Sequence, residues 1–147
     1  MDGSDDAKRA AEKVLELLQP DTVTKVVAFH SVEHSLAAHL AVPITMGAPN
    51  SQLRMSPDRI RQEYRMIGEK ILKRTKDTFK KAGKLIETRL IEDEDPEDYI
   101  MRVIDEENFD LIALGSKGDH SKLKEMFLGS IAQKVLNDAD CDVLVVR

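Results

Sequence analysis

The chain has 147 residues, which is enough for one packed domain and too short for two. The 27 acidic residues outnumber the 22 basic ones, and the resulting net charge of -5 argues against a general binder of nucleic acid or anionic lipid. A single cysteine, Cys141, excludes an intramolecular disulfide, and the apolar runs are too short to span a bilayer. These features predict a soluble cytoplasmic protein with no targeting segment and no membrane partner.

The first part of the chain predicts a helix, a strand and a long connection. Ser4 is a helix N-cap that precedes apolar residues at helical spacing, and the helix should end before Pro20. A short apolar run over residues 25–29 predicts a strand that is buried on both faces. Residues 31–55 contain two prolines, one glycine and few charges, so we expect a long variable connection there, with a short helix over residues 36–40.

The second part of the chain predicts three helices that alternate with three strands. The expected helices begin at Pro57, Pro96 and Ser130. The expected strands cover residues 85–91, 110–114 and 143–146. This alternation indicates one α/β domain over residues 1–147, with a doubly wound, mostly parallel sheet and helices on both faces.

A glycine-containing segment follows the strand expected at residues 110–114. It has the sequence Gly115-Ser116-Lys117-Gly118, and Gly129 and Ser130 open a helix ten residues later. In doubly wound sheets, ligands bind outside the carboxyl ends of the strands. Because glycines allow a close approach and the first N–H groups of a helix are unpaired, the pattern predicts a cradle for phosphate.

These segments together resemble the universal stress protein family, whose ATP-binding members carry the pattern G-x2-G-x9-G-[S/T]. The similar segments are the Asp2-Gly3-Ser4 turn, the fourth strand and loop at residues 108–118, the last helix at 128–136 and the terminal strand at 142–147. The resemblance covers nearly the whole chain. It implies an adenine-nucleotide alpha-hydrolase-like fold with a five-stranded sheet of order 3-2-1-4-5.

The resemblance also implies a site for ATP, with Mg2+ as a companion ion, that acts as a regulatory switch in a stress response. The implied nucleotide-binding residues are Asp2, Phe29, His30, Leu114, Gly115, Gly118, Gly129, Ser130 and Ile131. Asp2 would contact the ribose or adenine side, Phe29 and His30 would lie beside the base, and the other residues would supply backbone contacts and surround the ribose and phosphates. No catalytic or metal-ligating residue is implied, so we expect at most slow hydrolysis.

Two departures from the family bear on this site. The spacer between Gly118 and Gly129 holds ten residues instead of nine and begins with Asp119, whose charge would oppose a triphosphate. The strand that family members place directly before the Asp2 turn, at the centre of the sheet, is missing. Because its loss would leave buried backbone groups unpaired, we expect the true start of the protein to lie upstream of Met1.

The terminal strand begins at Val143 and ends at Val146, and it would form an edge of the sheet. The resemblance implies that antiparallel pairing of this edge in a homodimer covers it. The alternative function is a nucleotide-free dimeric interaction module of the same fold. Titration with adenine nucleotides distinguishes the two.

Three other patterns are weaker signals, and each would indicate a different function. His30-Ser31-Val32-Glu33-His34 matches the H-x-x-E-H signature of zinc hydrolases, but it follows a strand instead of lying on a helix. Gly115-Ser116-Lys117-Gly118 fits the GXXG loop of KH RNA-binding modules, but that loop joins two helices. Cys141 lies between two aspartates, whose charges raise a thiol pKa and favour a structural role.

Overall fold

The structure, a computed structural model, describes residues 1–19, 24–32, 57–116 and 128–147. The helices of these residues are α1 (Asp5–Leu17), α2 (Pro57–Lys81), α3 (Pro96–Glu107) and α4 (Ser130–Asp138). The strands are β1 (Val27–Ser31), β2 (Glu87–Ile91), β3 (Leu111–Gly115) and β4 (Asp142–Val146). None of the described helices has both the length and the apolar character needed to cross a membrane.

Each helix and strand expected in the described part of the chain is present, and the ends of the strands differ by one or two residues. The largest shift is in β1, which begins at Val27 instead of Lys25 and includes Ser31. Lys25 is held at the surface, where its Nζ donates a hydrogen bond of 2.5 Å to Glu107. The helix expected over residues 36–40 lies outside the described residues.

Local sequence signals account for several helix ends. The Ser4 hydroxyl accepts a hydrogen bond of 3.1 Å from the N–H of Ala7, which caps α1 as expected. Pro96 is the first residue of α3, where its missing N–H has no helical partner to lose. Asn108 ends the same helix in the left-handed conformation, with φ of 53°.

The strands form two parallel pairs instead of one continuous ladder. β1 pairs with β2 from Val27 opposite Glu87 onward, and β3 pairs with β4 from Leu111 opposite Asp142 onward. Within the described ranges, no hydrogen bond joins β1 to β3. The two pairs correspond to the outer positions of the expected 3-2-1-4-5 order, and no described strand takes the central position.

Helices on both faces hold the two strand pairs in one domain. On one face, α1 packs against β3 and β4, α2 packs against β1 and β2, and the two helices touch each other. On the other face, Ile100 and Ile104 of α3 and Val135 of α4 form a buried cluster. Phe29 of β1 and Ile112 of β3 both contact this cluster. The α/β class expected from the sequence, with parallel strands and helices on both faces, is confirmed.

The strands are less buried than their apolar sequences predict. In β1, Val27, Ala28 and Phe29 are partly exposed, whereas His30 and Ser31 are buried. Because neighbouring residues of a strand point to opposite faces, His30 and Ser31 show that both faces are buried at the end of β1, whereas the part from Val27 to Phe29 is only partly buried. No described strand covers the edge of β1 opposite β2.

An ionic network connects β2 to the end of α3. Arg89 donates hydrogen bonds of 2.5 and 2.9 Å to the two carboxylate oxygens of Glu107 and one of 3.1 Å to the hydroxyl of Tyr99. Lys25 donates to the same carboxylate. These hydrogen bonds, with the one from Arg89 as the largest cause, lower the pKa of Glu107 to about 2.

We expect Glu107→Gln to lower the melting temperature by a few degrees at pH 7 and to have less effect in acid. The folded-state pKa of Glu107 lies below the ordinary value of 4.5, so the ionised carboxylate stabilises the fold above that value. This contribution is lost as the pH falls from about 4.5 toward about 2. Thermal unfolding of both proteins between pH 7 and pH 3 measures the difference.

The matched control is Glu106→Gln, which removes an exposed pair with Arg102 on the same helix. This variant should unfold close to the wild-type temperature at every pH. Equal losses in the two variants, independent of pH, would contradict the assignment of this role to Glu107.

Candidate functional site

Residues 1–4 form a tight turn before α1. The Asp2 carboxylate accepts hydrogen bonds of 3.1 Å from the N–H of Ser4 and 2.7 Å from its hydroxyl. Gly3, between them, has φ of 86°, and a Cβ there would lie 3.1 Å from the Ile71 side chain. The backbone conformation therefore favours glycine, and a larger residue would also displace the end of the Ile71 side chain. The turn holds Asp2 in a fixed position where α1 begins.

Met1 connects this turn to the end of β1. Its nitrogen donates a hydrogen bond to the carbonyl of Phe29, and its carbonyl contacts Nδ1 of His30. The Phe29 ring packs against Tyr99, with ring centroids 4.7 Å apart. The His30 side chain is 1% exposed, and a Cβ on Gly68 would collide with its imidazole. The His30 side chain is therefore enclosed, whereas the partly exposed Phe29 ring packs with one side against Tyr99.

Ser116 joins three elements directly after β3. Its N–H donates to the carbonyl of Val146 at 2.7 Å, and its carbonyl accepts from the N–H of Gly129 at 2.8 Å. Its hydroxyl donates to the carboxylate of Asp6 at 2.7 Å, and the residue is only 2% exposed. The end of β4, the first turn of α1 and the start of α4 therefore meet at this residue.

Ser116 and Asp6 are not among the residues that the family resemblance implies. The signal for Ser116 in the sequence is its position, as a small polar residue directly after an apolar strand. Asp6 stands in the first turn of α1, where an acidic residue is explained by the helix dipole alone. Only the folded structure shows that the two side chains bind each other.

Leu114 and Gly115, the two residues of β3 that the family resemblance assigns to the nucleotide site, have different surroundings. A Cβ on Gly115 would lie 2.7 Å from the N of Ala7, so glycine is required here for the close approach of α1. The Leu114 side chain contacts the buried cluster of α3 and α4. The register with β4 directs the backbone groups of Leu114 toward that strand and those of Gly115 away from it. Of the two, Gly115 has the backbone that points away from the ladder.

Gly129 is the N-cap of α4, in an extended conformation with φ of -60° and ψ of 152°. No side chain caps this helix and its first turn contains no acidic residue. The first turns of α1, α2 and α3 each contain at least one acidic residue. Among the described helices, α4 therefore offers an anion the most favourable N-terminus. Ser130 is exposed there, and Ile131 contacts the buried cluster.

The structure thus connects three of the sequence-predicted segments. Asp6 and Ser116 link the Asp2 turn, the end of β3 at Gly115 and the start of α4 at Gly129. Gly118 and the spacer that begins with Asp119 lie outside the described residues.

The competing patterns gain no support from the described part of the chain. Glu33 and His34 of the H-x-x-E-H pattern lie outside it, and the described residues contain no group of three His, Cys, Asp or Glu that could hold a metal ion. The GXXG pattern follows strand β3, whereas in KH modules it joins two helices.

The pKa of Cys141 is raised, as the sequence predicts. The main cause is burial, and the charges of Asp142, Asp110 and Asp140 add to it. The flanking aspartates are therefore the smaller part of the explanation. A raised pKa keeps the thiol protonated and unreactive at neutral pH.

Parallel strands between two helix layers, with the Asp2 turn and the N-terminus of α4 at the carboxyl ends of the strands, define a protein of the α/β class. The sequence comparison defines the family. The chain belongs to the universal stress protein family, whose sequence profile matches residues 1–147. The resemblance deduced from the glycine pattern and the Asp2 turn is confirmed.

Two relatives carry the family name. The chain is 39% identical to universal stress protein YxiE of Bacillus subtilis over 90 residues, which are 61% of this chain and 60% of the relative. It is 34% identical over 80 residues to universal stress protein MJ0531 of Methanocaldococcus jannaschii, which are 54% of this chain and 46% of that protein. The matched region spans about half of these relatives.

Solved structures show the same fold. Hypothetical protein MJ0577 matches with a TM-score of 0.78 at 20% identity, over 99% of this chain and 90% of that chain. A universal stress protein in complex with cAMP matches with a TM-score of 0.64 at 25% identity, over 100% and 92%. A universal stress family protein from Arabidopsis thaliana with AMP bound matches with a TM-score of 0.57 at 18% identity, over 95% and 76%.

We expect Ser116→Ala and Asp6→Ala to destabilise the domain by about 1–2 kcal/mol each, because each removes one partner of a largely buried hydrogen bond. The double variant should lose less than the sum, with a coupling of at least about 0.5 kcal/mol. Urea unfolding of the four proteins measures the coupling.

Asp5→Ala is the matched control for this cycle. Asp5 lies in the same first turn of α1, but its side chain is 79% exposed and pairs with Lys8 at the surface. This variant should have a small effect and no coupling to Ser116→Ala. Additive losses for Asp6→Ala and Ser116→Ala would contradict the proposed link between α1 and the end of β3.

Proposed function

We propose that this protein binds an adenine nucleotide, with ATP as the ligand of a regulatory switch in a stress response. The observation that carries the proposal is the N-terminus of α4, which has neither a side-chain cap nor an acidic first turn and is held by Ser116 next to the first turn of α1. The family members solved with cAMP and AMP support an adenine nucleotide as the ligand.

In this proposal, the phosphates lie at the first N–H groups of α4, those of Ser130 and Ile131, while Gly129, whose own N–H donates to Ser116, allows their close approach. The Asp2 carboxylate, fixed by its turn, accepts hydrogen bonds from the ribose or adenine. The backbone at Gly115 lines the space between them. Gly118, which the resemblance assigns to the same site, would complete the cradle. Mg2+ would be bound through the phosphate oxygens.

The side chains that the structure describes near this site do not favour fast hydrolysis. A general base must reach the attacking water with a free lone pair. His30 is buried against α2, and the Asp6 carboxylate is held by Ser116 and Arg9. Neither group is placed as a base, so we propose a nucleotide-dependent switch with at most slow hydrolysis.

We expect Gly129→Val to weaken ATP binding at least about tenfold, which corresponds to about 1.4 kcal/mol. The extended backbone at Gly129 accepts a β-branched residue, but the side chain would stand where the phosphates approach the helix. Isothermal titration with ATP and AMP, with and without Mg2+, measures the affinities. Circular dichroism checks that the variant is folded.

The matched control is Asp95→Val at the N-cap of α3, which has the same extended conformation and no side-chain cap bond. This variant should bind ATP like the wild type. Absence of heat and of any thermal shift with every nucleotide would reject the switch and favour a nucleotide-free interaction module. Unchanged affinity of the Gly129 variant would refute the placement of the phosphates.

We also propose that the outer edge of β4 forms a homodimer by antiparallel pairing. Asp142 and Val146 direct their backbone groups toward β3, so those of Val143 and Val145 point to the outer edge. An uncovered edge of this apolar strand would be a site of aggregation. Pairing with a second copy would satisfy its hydrogen-bonding groups.

We expect Val145→Pro to convert the dimer into a monomer, because proline removes a donor from the outer edge without breaking a bond to β3. Light scattering coupled to size exclusion measures the mass. Val145→Thr, which keeps the N–H and the branched shape, should remain dimeric. A monomeric wild type, or a dimeric proline variant, would exclude this edge as the interface.

A further inference from the structure

The second half of α2 carries a concentration of positive charge. Residues 57–69 contain three basic and three acidic residues, whereas residues 70–81 contain six basic residues and one acidic residue, Asp77. The six basic residues are exposed, and in the described part of the chain none of their side chains forms an ion pair or a hydrogen bond. Together they form what we call the basic face of α2: Lys70, Lys73, Arg74, Lys76, Lys80 and Lys81.

The basic face lies on the side of the helix that points to solvent. With 3.6 residues per turn, its six positions span an arc of about 160° around the helix. The opposite side carries the buried residues Leu72, Thr75 and Phe79, and α2 packs against β1 and β2. The basic face is about 16 Å long, since each residue of a helix rises about 1.5 Å. It is therefore a narrow charged strip that the fold leaves uncovered among the described residues.

The stability of the helix does not account for this charge. The helix dipole favours cations in the last turn, which explains only the last two members of the basic face. Lys73 and Arg74 stand three and four positions after Lys70, and like charges at these spacings repel each other. The nearest acidic residue before them, Glu69, pairs with Arg65. The basic face thus weakens the helix, so it is better explained by binding than by folding.

Exposed apolar side chains stand at both ends of the basic face. Met66 is 58% exposed and Ile67 is 43% exposed. They precede Lys70 by four and three positions, which places them on the same side of the helix. Leu85, which is 87% exposed, follows the helix after a turn at Gly83. A partner that meets this surface can therefore combine ion pairs along the strip with apolar contacts at its ends, as protein interfaces do.

These features favour a protein segment over a nucleic acid or a membrane. A nucleic acid or an anionic membrane presents an extended negative surface, which would repel the rest of a chain whose net charge is -5. The one aromatic residue between Met66 and Leu85 is Phe79, which is buried and cannot stack on a base. The apolar side of α2 is packed against the strands, so it is not available to enter a bilayer. A short acidic segment contacts the basic face alone.

We propose that the basic face of α2 is a docking surface for an acidic helical segment of a partner protein. A segment of about 18 residues is about 27 Å long and reaches from Met66 to Leu85. Its carboxylates, at spacings of three and four residues, would face the basic side chains, and an apolar residue near each end would contact Met66 and Leu85.

The docking surface is separate from the proposed nucleotide site. α2 ends at Lys81 and leads to the amino end of β2, which begins at Glu87. The Asp2 turn and the start of α4 lie at the carboxyl ends of the strands. The proposal therefore does not depend on nucleotide binding, and variants of the basic face should bind ATP like the wild type.

The probe is a fluorescein-labelled helical peptide of 18 residues, with six glutamates on one face, a leucine at each end of that face, and alanine and glutamine elsewhere. Fluorescence anisotropy with the full chain should show saturable binding that weakens at least tenfold between 50 and 500 mM salt, because salt screens the charges. The same peptide with glutamine at the six acidic positions should bind at least tenfold more weakly. Equal binding of both peptides would indicate apolar adsorption and overturn the proposal.

The double variant Lys73→Gln and Lys80→Gln removes two charges from the basic face. It should bind the acidic peptide at least fivefold more weakly, and it should unfold at or slightly above the wild-type temperature because like charges are removed. The matched control is Lys13→Gln with Lys134→Gln, which removes two exposed lysines from α1 and α4 and makes the same change in net charge. The control should bind the peptide like the wild type. Equal losses in the two double variants would indicate general electrostatic attraction and overturn the proposal.

Two further titrations distinguish the class of the partner. A labelled 20-base-pair DNA duplex and vesicles with phosphatidylserine should bind weakly, and equally to the wild type and to the Lys73 and Lys80 variant. Tight binding of either one, without binding of the acidic peptide, would show that the basic face takes a different polyanion. Absence of binding to all three probes would show that the basic face is only a solvated surface. Either result overturns the proposal.

Discussion

In the described part of the chain, β1 and β3 each pair with a neighbouring strand along one of their two edges. The arrangement of the helices depends on this limit to the pairing. Because the described residues provide no ladder between β1 and β3, the two strand pairs are held together by their helices. The buried cluster of Ile100, Ile104 and Val135 contacts both pairs, and α1 and α2 close the other face. Among the described residues, the contacts of the helices therefore hold the two strand pairs together, and the strands remain partly exposed.

The helices and strands follow from local chemistry and could be predicted from the sequence. Ser4, Pro96 and Asn108 mark helix ends by capping, by a fixed φ and by tolerance of the left-handed conformation. The ends of the strands are less predictable because they depend on the partner. Lys25 belongs to an apolar run, but β1 begins where its pairing with β2 begins, at Val27 opposite Glu87, and the Lys25 side chain bonds to Glu107, 82 residues away. The same dependence on distant partners explains why apolar composition overestimated the burial of β1.

The candidate site likewise combines features set by neighbouring residues, which the sequence predicts, with contacts between distant residues, which it does not. The Asp2 turn and the open N-terminus of α4 depend on neighbouring residues, so the sequence and the family resemblance indicate them directly. The bond between Ser116 and Asp6 joins residues 110 positions apart, and no local pattern reveals it. The orientations of Phe29 and His30 depend on the register of β1 and on the space that Gly68 leaves in α2. The resemblance places these residues near the site, but only the structure shows that the His30 side chain is enclosed and that the Phe29 ring packs against Tyr99.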